Sequence, residues 1–397
     1  MIFNSLGSNY DFKFIIASLF SIPKSDTNRK LIYLLEKRYG GSCTLLYKGR
    51  EAIKLALDIS GLPKGSKVGL NGFTCFVVYQ AIVEAGYEPV YIDIDGRSLN
   101  YNISTIEKAA DIKALIIQNT LGNPVDINPI VSFCNKRGIL IIEDMAHSVG
   151  SRYSTGVEVG TIGDFTALSF SQDKSIDSVS GGALVLRNKK FISKLNNIVL
   201  VNIDVGSQFL DRIYPSLTFQ IRKLYSVYLG KLFHFIIKKI KLLSDPMGKL
   251  TLIKYHSLQY WYANLALNSF SNLDKKIKHS KKIVEIYLSN LNKKIVSRNI
   301  QDNYDLSSNI RFPIFVNNRN SLIKFLKESQ IYVSDIWYDS PVAPSKLMSR
   351  TNYAGNCPES EKISKQIVNL PTHINVSEKE AERISVLINK WQNTQQN

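Results

Sequence analysis

The sequence predicts an α/β protein, with a large domain built on a mainly parallel sheet and a smaller α/β domain after it. Its 397 residues exceed what one ordinary hydrophobic core organises. Hydrophobic residues make up 44% and charged residues 21%, which is a globular composition. Between about residues 44 and 186, short apolar runs alternate with amphipathic segments. This is the pattern of parallel strands joined by helices that cover both faces of a sheet.

The predicted strands of this region are short apolar runs: Lys67–Leu70, Pro89–Asp93, Ala114–Gln118, Leu140–Glu143, Thr166–Phe170 and Ala183–Leu186. Helix-like segments lie between the first four of them: Val77–Glu84, Ile103–Ala109 and Pro129–Arg137. Ligands of such sheets bind beyond the carboxyl ends of the strands, so the residues that follow the strands are the candidates for chemistry.

The flanking regions complete the predicted organisation. Residues 1–40 are expected to form a peripheral helical segment, and residues 41–254 the large domain, with an aromatic and basic insertion at about 200–254. Residues 255–397 are expected to form the small domain, with these elements: a long helix from Tyr255 to about Leu291, a strand Asn309–Phe315, a helix Ser321–Ser329, a strand near Tyr332 and a final helix Ser377–Trp391.

The net charge of +17 favours an anionic partner. No helix-turn-helix or zinc-finger spacing is present, so nucleic acid is not the expected partner. None of the four cysteines stands in a CxxC pair, which predicts neither a metal site nor a disulfide framework and favours the reducing cytoplasm. The short apolar run at residues 14–22 lacks a basic flank, so no signal peptide is predicted.

Two acids end the apolar run Ile141–Asp144, and so stand at the carboxyl edge of the predicted sheet. A carboxylate there can pair with the protonated ring nitrogen of pyridoxal 5′-phosphate (PLP), whose ring then withdraws electrons from a reacting carbon. Asp144 fits this role. Taken alone, the motif also fits a metal ligand or a helix N-cap.

Thirty residues later, Lys174 lies in a polar loop between two predicted strands. Its amine can form a Schiff base if its surroundings lower the pKa, and nearby hydroxyl groups can hold a phosphate. Gly181 and Gly182 allow the chain to turn closely into the next strand. A solvated loop lysine is the alternative for this motif alone.

Gly49 opens a predicted helix that runs to about Ser60. The first N–H groups of a helix have no partner within the helix and can face an anion, and Arg50 could add charge. Many helices begin this way without a ligand, so the signal is weak when taken alone.

Together, these motifs resemble the DegT/StrS-type sugar aminotransferases. The resemblance covers about residues 45–186 and resumes more loosely from Tyr255 to the C-terminus. It is carried by an ordered set of segments: Gly49, Phe73-Thr74, Gly86–Asp93, Gly122–Asp126, Glu143-Asp144, Gly160–Asp164, Ser169-Phe170 and Lys174. Each segment is common, but the ordered set is specific.

The resemblance implies a PLP-dependent fold-type-I aminotransferase with a mainly parallel seven-stranded sheet, acting as a homodimer with its active sites at the interface. In that family Lys174 would carry PLP as a Schiff base and move protons, and Asp144 would hold the pyridine nitrogen. His147 matches a position close to the ring and its phenolic oxygen.

The resemblance also implies a phosphate site and reveals departures. Ser169 matches a phosphate-binding hydroxyl, and Gly49–Glu51 match the turn whose N–H groups hold the phosphate. The family usually has threonine where this chain has Arg50, which would pair with phosphate or face solvent. The ring-stacking aromatic is replaced by Cys75, so either Phe76 takes over or the stack is lost. The family's Asn-x-Arg segment, which reaches the neighbouring subunit's cofactor, is not legible between residues 200 and 254.

Residues 224–243 form the most unusual stretch of the sequence. Lys231, His234, Lys238 and Lys241 recur at three- and four-residue steps, which predicts one polar stripe on an otherwise apolar helix. Two explanations stay open: the helix packs at a subunit interface, or it lies in a membrane interface. The protein is accordingly expected in the cytoplasm, either free or at the inner face of the membrane.

The expected reaction is transfer of an amino group, from glutamate, to a nucleotide-linked keto sugar used for surface polysaccharide or a related glycan. Two rivals remain. One is a sugar dehydratase on the same scaffold, although family dehydratases can replace the lysine with histidine. The other is a non-catalytic regulatory protein that keeps the fold.

Overall fold

The computed structural model describes residues 1–21, 26–109, 111–195, 197–247, 254–333 and 337–395. The strands are β1 (Ile2–Phe3), β2 (Ser42–Leu46), β3 (Lys67–Asn71), β4 (Thr74–Cys75), β5 (Glu88–Ile92), β6 (Ala114–Ile117), β7 (Leu140–Asp144), β8 (Phe165–Ser169), β9 (Gly182–Leu186), β10 (Leu200–Val201), β11 (Tyr255–His256), β12 (Phe312–Phe315), β13 (Ile331–Tyr332), β14 (Val342–Ala343) and β15 (Ile367–Leu370). The helices are α1 (Phe12–Phe20), α2 (Thr27–Tyr39), α3 (Gly49–Ser60), α4 (Phe76–Glu84), α5 (Ile103–Ile106), α6 (Ile127–Arg137), α7 (Ile192–Leu195), α8 (Val205–Lys223), α9 (Leu229–Lys239), α10 (Tyr260–Ser271), α11 (Leu273–Asn290), α12 (Arg298–Asn303), α13 (Arg319–Glu328), α14 (Ser345–Met348), α15 (Pro358–Ser364) and α16 (Glu378–Thr394).

Seven strands form the main sheet, in the order β2-β9-β8-β7-β6-β3-β5. The strands from β8 to β5 run parallel, whereas β9 is antiparallel to both of its neighbours. The mainly parallel sheet and all six predicted strands are confirmed, with shifts of one residue at their ends. The prediction missed β2, because its residues alternate polar and apolar too briefly to stand out.

Residues on the two faces of the sheet enter two different hydrophobic clusters. Leu115 and Ile117 of β6 pack with α2, α6 and α10, whereas Ala114 and Ile116 pack with α3 and α4. This alternation, with both faces covered, is what buries a parallel sheet. It leaves the carboxyl ends of β7 and β8 as the place where polar side chains meet.

The predicted long helix from Tyr255 to Leu291 is wrong. Tyr255 and His256 form β11, which pairs with β10, and the helical region is divided into α10 and α11. Asn272 is both the C-cap of α10 and the N-cap of α11, so the chain bends there although the apolar pattern continues. The other elements predicted in this part are confirmed: β12, α13, β13 and α16.

Two short strand pairs join the C-terminal region to distant parts of the chain. β1 pairs with β13, so the N-terminus joins the C-terminal region. β14 pairs with β4, Val342 lying opposite Thr74 and Ala343 opposite Cys75. This second pairing carries residues 337–343 to the edge of the main sheet where Asp144 ends β7.

The insertion contains two helices where the sequence predicted one. α8 ends at Lys223, a turn follows, and α9 covers only Leu229–Lys239, so Lys241 lies beyond the helix with a left-handed φ of 57°. None of the helices in the described ranges has the length and apolar character that crossing a bilayer requires.

Candidate active site

Asp144 and Lys174 meet at the carboxyl edge of the sheet. Asp144 is the last residue of β7, and Lys174 lies in the loop that follows β8, its parallel neighbour. Each side chain is close enough to affect the other's pKa, and the Cys75 thiol lies within the same electrostatic range of both. The two residues predicted to carry the chemistry therefore share one site.

Asp144 is an acid held in a poorly solvated position. Its side chain is 5% exposed, and burial raises the pKa of Asp144 to about 6. The Ala146 N–H, 2.9 Å from Oδ1, and the Lys174 ammonium act in the opposite direction. A cationic ring nitrogen would supply the missing counter-charge.

The pKa of the Lys174 amine is shifted downward, opposite to the pKa of Asp144. Burial lowers the pKa of Lys174, and the Arg311 guanidinium lowers it further, against the attraction of Cys75, Asp144 and Asp173. Nζ lies 4.3 Å from the centroid of the Trp337 ring, in cation–π contact. Lowering the pKa of an amine increases the fraction that is neutral, and the neutral form is the nucleophile and proton acceptor.

The loop that carries Lys174 is fixed by a buried aspartate. Asp177 accepts hydrogen bonds from the N–H of Asp173 (2.8 Å), the N–H of Val179 (2.8 Å) and the Tyr10 hydroxyl (3.0 Å). Asp173 and Val179 both have left-handed backbones, with φ of 61° and 70°. Such conformations are costly for residues other than glycine, and this bonding holds them in place.

The start of α3 lies directly against the end of β8. A Cβ on Gly49 would lie 2.6 Å from Cβ of Ser169 and 2.9 Å from its Oγ. Only glycine permits this approach, which sets the Ser169 hydroxyl beside the first turn of a helix. Free helix N–H groups and a hydroxyl then face the same space, which is an arrangement suited to a phosphate.

Arg50 neither faces solvent nor lacks partners. It is 4% exposed, and its guanidinium donates to Gln80 Oε1 at 2.9 Å and to the Pro246 carbonyl. Burial lowers the pKa of Arg50, and Cys75 counteracts this most strongly. Arg50 therefore adds a buried positive charge on the Cys75 side of the α3 N-terminus.

Both the carboxylate and the backbone N–H of Glu51 already have hydrogen-bond partners. The carboxylate is fully buried and accepts hydrogen bonds from the N–H of His256 (3.1 Å) and from its Nδ1 (2.9 Å). The Glu51 N–H donates to the Lys48 carbonyl at 3.1 Å. Of the predicted turn, Gly49 and Arg50 thus remain the better candidates for holding a phosphate.

His147 is buried under an aromatic pair from the C-terminal region. Its ring stacks on Trp337 at 4.7 Å, and its Nδ1 lies 3.1 Å from the Tyr338 hydroxyl. The Leu121 N–H also donates to Nδ1 at 3.3 Å, so Nδ1 is an acceptor and the proton of the neutral ring is assigned to Nε2. Burial, Lys174 and Arg311 hold the pKa of His147 well below its usual range.

Phe76 is the predicted site residue that the structure does not bring to this group. Its ring packs in the cluster between the sheet, α3 and α4, 5.9 Å from the Tyr79 ring, with Arg350 over it. The residue before it, Cys75, lies beside Lys174 and Asp144 instead. A stacking role for Phe76 is therefore not supported.

A family model described as the DegT/DnrJ/EryC1/StrS aminotransferase family matches residues 38–221 and 255–389. The chain belongs to this family. The resemblance inferred from the ordered motifs is thereby confirmed, and the match leaves residues 222–254 outside what the family shares.

Individual relatives match over most of the chain. A protein named pleiotropic regulatory protein, from Geobacillus stearothermophilus, is 23% identical over 340 residues, which cover 85% of this chain and 81% of that protein. GDP-perosamine synthase from Vibrio cholerae is 24% identical over 339 residues, covering 83% and 80%. The solved aminotransferase of Psychrobacter cryohalolentis is 15% identical, covers 98% of each chain and has a TM-score of 0.73, which supports the fold.

Aminotransferases of the DegT/DnrJ/EryC1/StrS family depend on PLP, and the residues of this chain fit that cofactor. The Gly49–Ser169 contact leaves room for a phosphate, Asp144 offers an acid of raised pKa to a ring nitrogen, and Lys174 offers an amine of lowered pKa. One departure from the family pattern is Cys75, where the family has an aromatic residue; Cys75 would bring a thiol to the cofactor site.

Three polar or aromatic neighbours of this site were not found from the sequence: Lys48, Trp337 and Tyr338. Lys48 is buried, its Nζ donates to Ser180 Oγ at 2.7 Å, and it lines a cavity of about 310 Å³ beside the α3 N-terminus. The basic residues on either side of Gly49 were a usable signal for Lys48. No local pattern marks Trp337 or Tyr338.

Proposed function

We propose that this protein transfers an amino group, from glutamate, to a keto sugar carried by a nucleotide. The observation that carries the proposal is the shared site of Asp144 and Lys174 next to the Gly49–Ser169 contact. PLP, when bound, supplies the electron-withdrawing ring on which amino groups are exchanged.

Each residue of the site would have its own role around that ring. Lys174 would bind the cofactor covalently and, when its amine is free, accept and return a proton, because burial lowers its pKa and so makes the proton-accepting neutral form easier to reach. Asp144 would hold a proton on the ring nitrogen. Gly49, Arg50 and Ser169 would bind the phosphate, and the Nε2–H of His147 is suited to donate to an oxygen on the ring.

The substrate class is supported by the relatives and by charge. GDP-perosamine synthase is named for a nucleotide-linked sugar, and this chain matches it over 83% of its own length. The net charge of +17 suits a diphosphate. We place this activity in the cytoplasm, in the service of surface polysaccharide or a related glycan.

We also propose that the protein acts as a homodimer. Helix α1 presents Phe12, Ile16 and Phe20 on one outer face, with exposed fractions of 67%, 42% and 68%. Only Lys13 carries charge within that helix, so two copies of this face would meet without repulsion between several like charges. Light scattering after size exclusion tests this: a monomer at micromolar concentration would contradict it.

The test of function is a screen of keto-sugar nucleotides against the PLP-loaded protein with glutamate as donor. The expected result is an aminated sugar nucleotide from at least one substrate and none from Lys174→Ala. Turnover that survives Lys174→Ala undiminished would refute the proposed role of the lysine.

A regulatory protein without catalysis is the second candidate, because one relative bears the name of a regulator. The two candidates differ in an observable way. A catalyst loaded with PLP has a visible absorption band that glutamate changes, whereas a protein that does not bind PLP has no such band. A dehydratase would be distinguished by its product, a sugar nucleotide that has lost a hydroxyl group and gained no amino group.

A further inference from the structure

Only residues 222–254 of the predicted insertion lie outside the family match, and within them helix α9 exposes an apolar surface. Five large side chains of α9 and its C-cap point to solvent with exposed fractions between 45% and 65%: Leu229, Leu232, Phe235, Ile236 and Ile240. We call this set the α9 outer face. Val227 and Tyr228 of the preceding turn extend it, at 58% and 72% exposed.

The orientation of α9 is fixed, so this exposure is built into the fold. Gly230 and Ile237, one heptad apart, form the inner side of the helix and are buried. A Cβ on Gly230 would lie 2.3 Å from the Ile221 carbonyl oxygen, so α9 crosses the end of α8 at backbone contact. The helix cannot turn its apolar side inward without losing this contact.

The charged residues of the segment that carries the α9 outer face all have one sign. Residues 222–244 include six lysine or arginine residues and no aspartate or glutamate. Lys238 and Lys239 are exposed, and Lys231 Nζ lies 4.2 Å from the centroid of the Tyr228 ring. Apolar side chains bordered by lysines are the composition of helices that lie in the plane of an anionic membrane surface.

A second copy of the chain fits this surface poorly. In a two-fold contact the same residues face each other, so the lysines of one α9 would meet those of its partner. No acid within residues 222–244 is available to pair with them, and like charges placed together oppose association. A lipid surface of negative charge satisfies both the apolar and the basic residues.

We propose that the α9 outer face docks this protein on an anionic lipid surface. Leu232, Phe235 and Ile236 enter the boundary between headgroups and acyl chains, and Lys238 and Lys239 contact the headgroups. Docking does not require the proposed amino transfer, because none of these residues lies in the Lys174 site. It would hold the enzyme where a glycan is assembled.

Flotation with lipid vesicles tests this proposal. The whole protein is expected to float with vesicles of phosphatidylglycerol and phosphatidylcholine and not with phosphatidylcholine alone, and salt should weaken the binding. The double variant Leu232→Glu/Phe235→Glu should bind at least about tenfold more weakly, and Lys238→Gln/Lys239→Gln should lose the preference for anionic lipid. The matched control is Val386→Glu on α16, where the valine is 64% exposed.

The outcomes separate docking from catalysis and from self-association. Circular dichroism establishes that each variant is folded, and the visible band with glutamate reports catalysis independently of lipid. Wild-type protein that does not float with anionic vesicles, or a double variant that floats as well as wild type, overturns the proposal. A double variant that changes the molecular mass in solution, and not the flotation, assigns the face to a second copy instead.

Discussion

In most proteins charged side chains are exposed and large apolar side chains are buried. The site around Lys174 buries charges, whereas the α9 outer face exposes apolar residues. At the site, an acid and several cations are buried, and Asp144 is only 5% exposed. On α9, an apolar residue such as Phe235 is 65% exposed. Buried charges without full pairing and exposed large apolar residues both lower stability or solubility. Each region is therefore better explained by a ligand than by folding.

The two regions differ in how their contribution to stability depends on pH. The pKa of Asp144 rises from its usual value near 4 to about 6 on folding, which corresponds to about 3 kcal/mol. Because the folded pKa is the higher one, the contribution to stability is fully present below about pH 4 and is lost as pH rises through about 6. The α9 outer face has no such group, apart from the half-buried His234 on its flank.

Replacing Lys174 gives the largest effect expected at the buried site. Lys174→Ala should lower the rate of the glutamate half-reaction by roughly a thousandfold or more, because both covalent binding and proton transfer depend on this amine. Loss of the visible band under single-turnover conditions measures it. Lys379→Ala, an exposed lysine of α16, serves as the control and should leave the rate unchanged.

The charge of Asp144 provides a sharper test of the same site. Asp144→Asn should weaken PLP binding by at least about thirtyfold, because a buried charge pair loses one partner. In the wild type, affinity should fall as pH drops through about 6, where Asp144 gains a proton. Titrations between pH 5 and pH 8 measure both effects. An Asn variant that keeps the wild-type pH dependence would rule out Asp144 as the titrating group.

Removal of the Ser169 hydroxyl should have a smaller effect. Ser169→Ala should weaken the binding of PLP by about tenfold, because it removes one hydrogen bond to a charged group. Its affinity for pyridoxal, which lacks the phosphate, should stay the same. Equal losses for both compounds would contradict a phosphate contact. Ser271→Ala, on an exposed part of α10, is the control.

The smallest effect concerns the contact between Trp337 and Lys174. The ring favours the protonated amine, so Trp337→Leu should lower the pKa of Lys174 by about one pH unit, and Trp337→Phe by less. Mass spectrometry of Lys174 after brief treatment of the cofactor-free protein with an amine-specific reagent, across a pH series, measures this. An unchanged pH midpoint in Trp337→Leu would rule out an effect of the Trp337 ring on the pKa of Lys174.

The local pattern of apolar and turn residues in the sequence predicted most strands of the main sheet. The strands β3, β5, β6, β7, β8 and β9 were predicted because each is a short apolar run between turn residues, and their carboxyl ends located Asp144 and Lys174. Errors arose where a pattern continued through a change of backbone direction. Asn272 divides α10 from α11 within one apolar periodicity, and the turn at residues 224–228 separates α8 from α9.

The sequence by itself determined six of the seven strands of the main sheet, the family and the two residues at the centre of the site. The tertiary structure decided that Glu51 pairs with His256, that Arg50 is buried, that Trp337 covers His147 and Lys174, and that the apolar side of α9 faces outward. The reason is physical. Periodicity reports which side of an element is apolar, but contacts between residues as far apart as 147 and 337 depend on how elements pack, and no local signal records that packing.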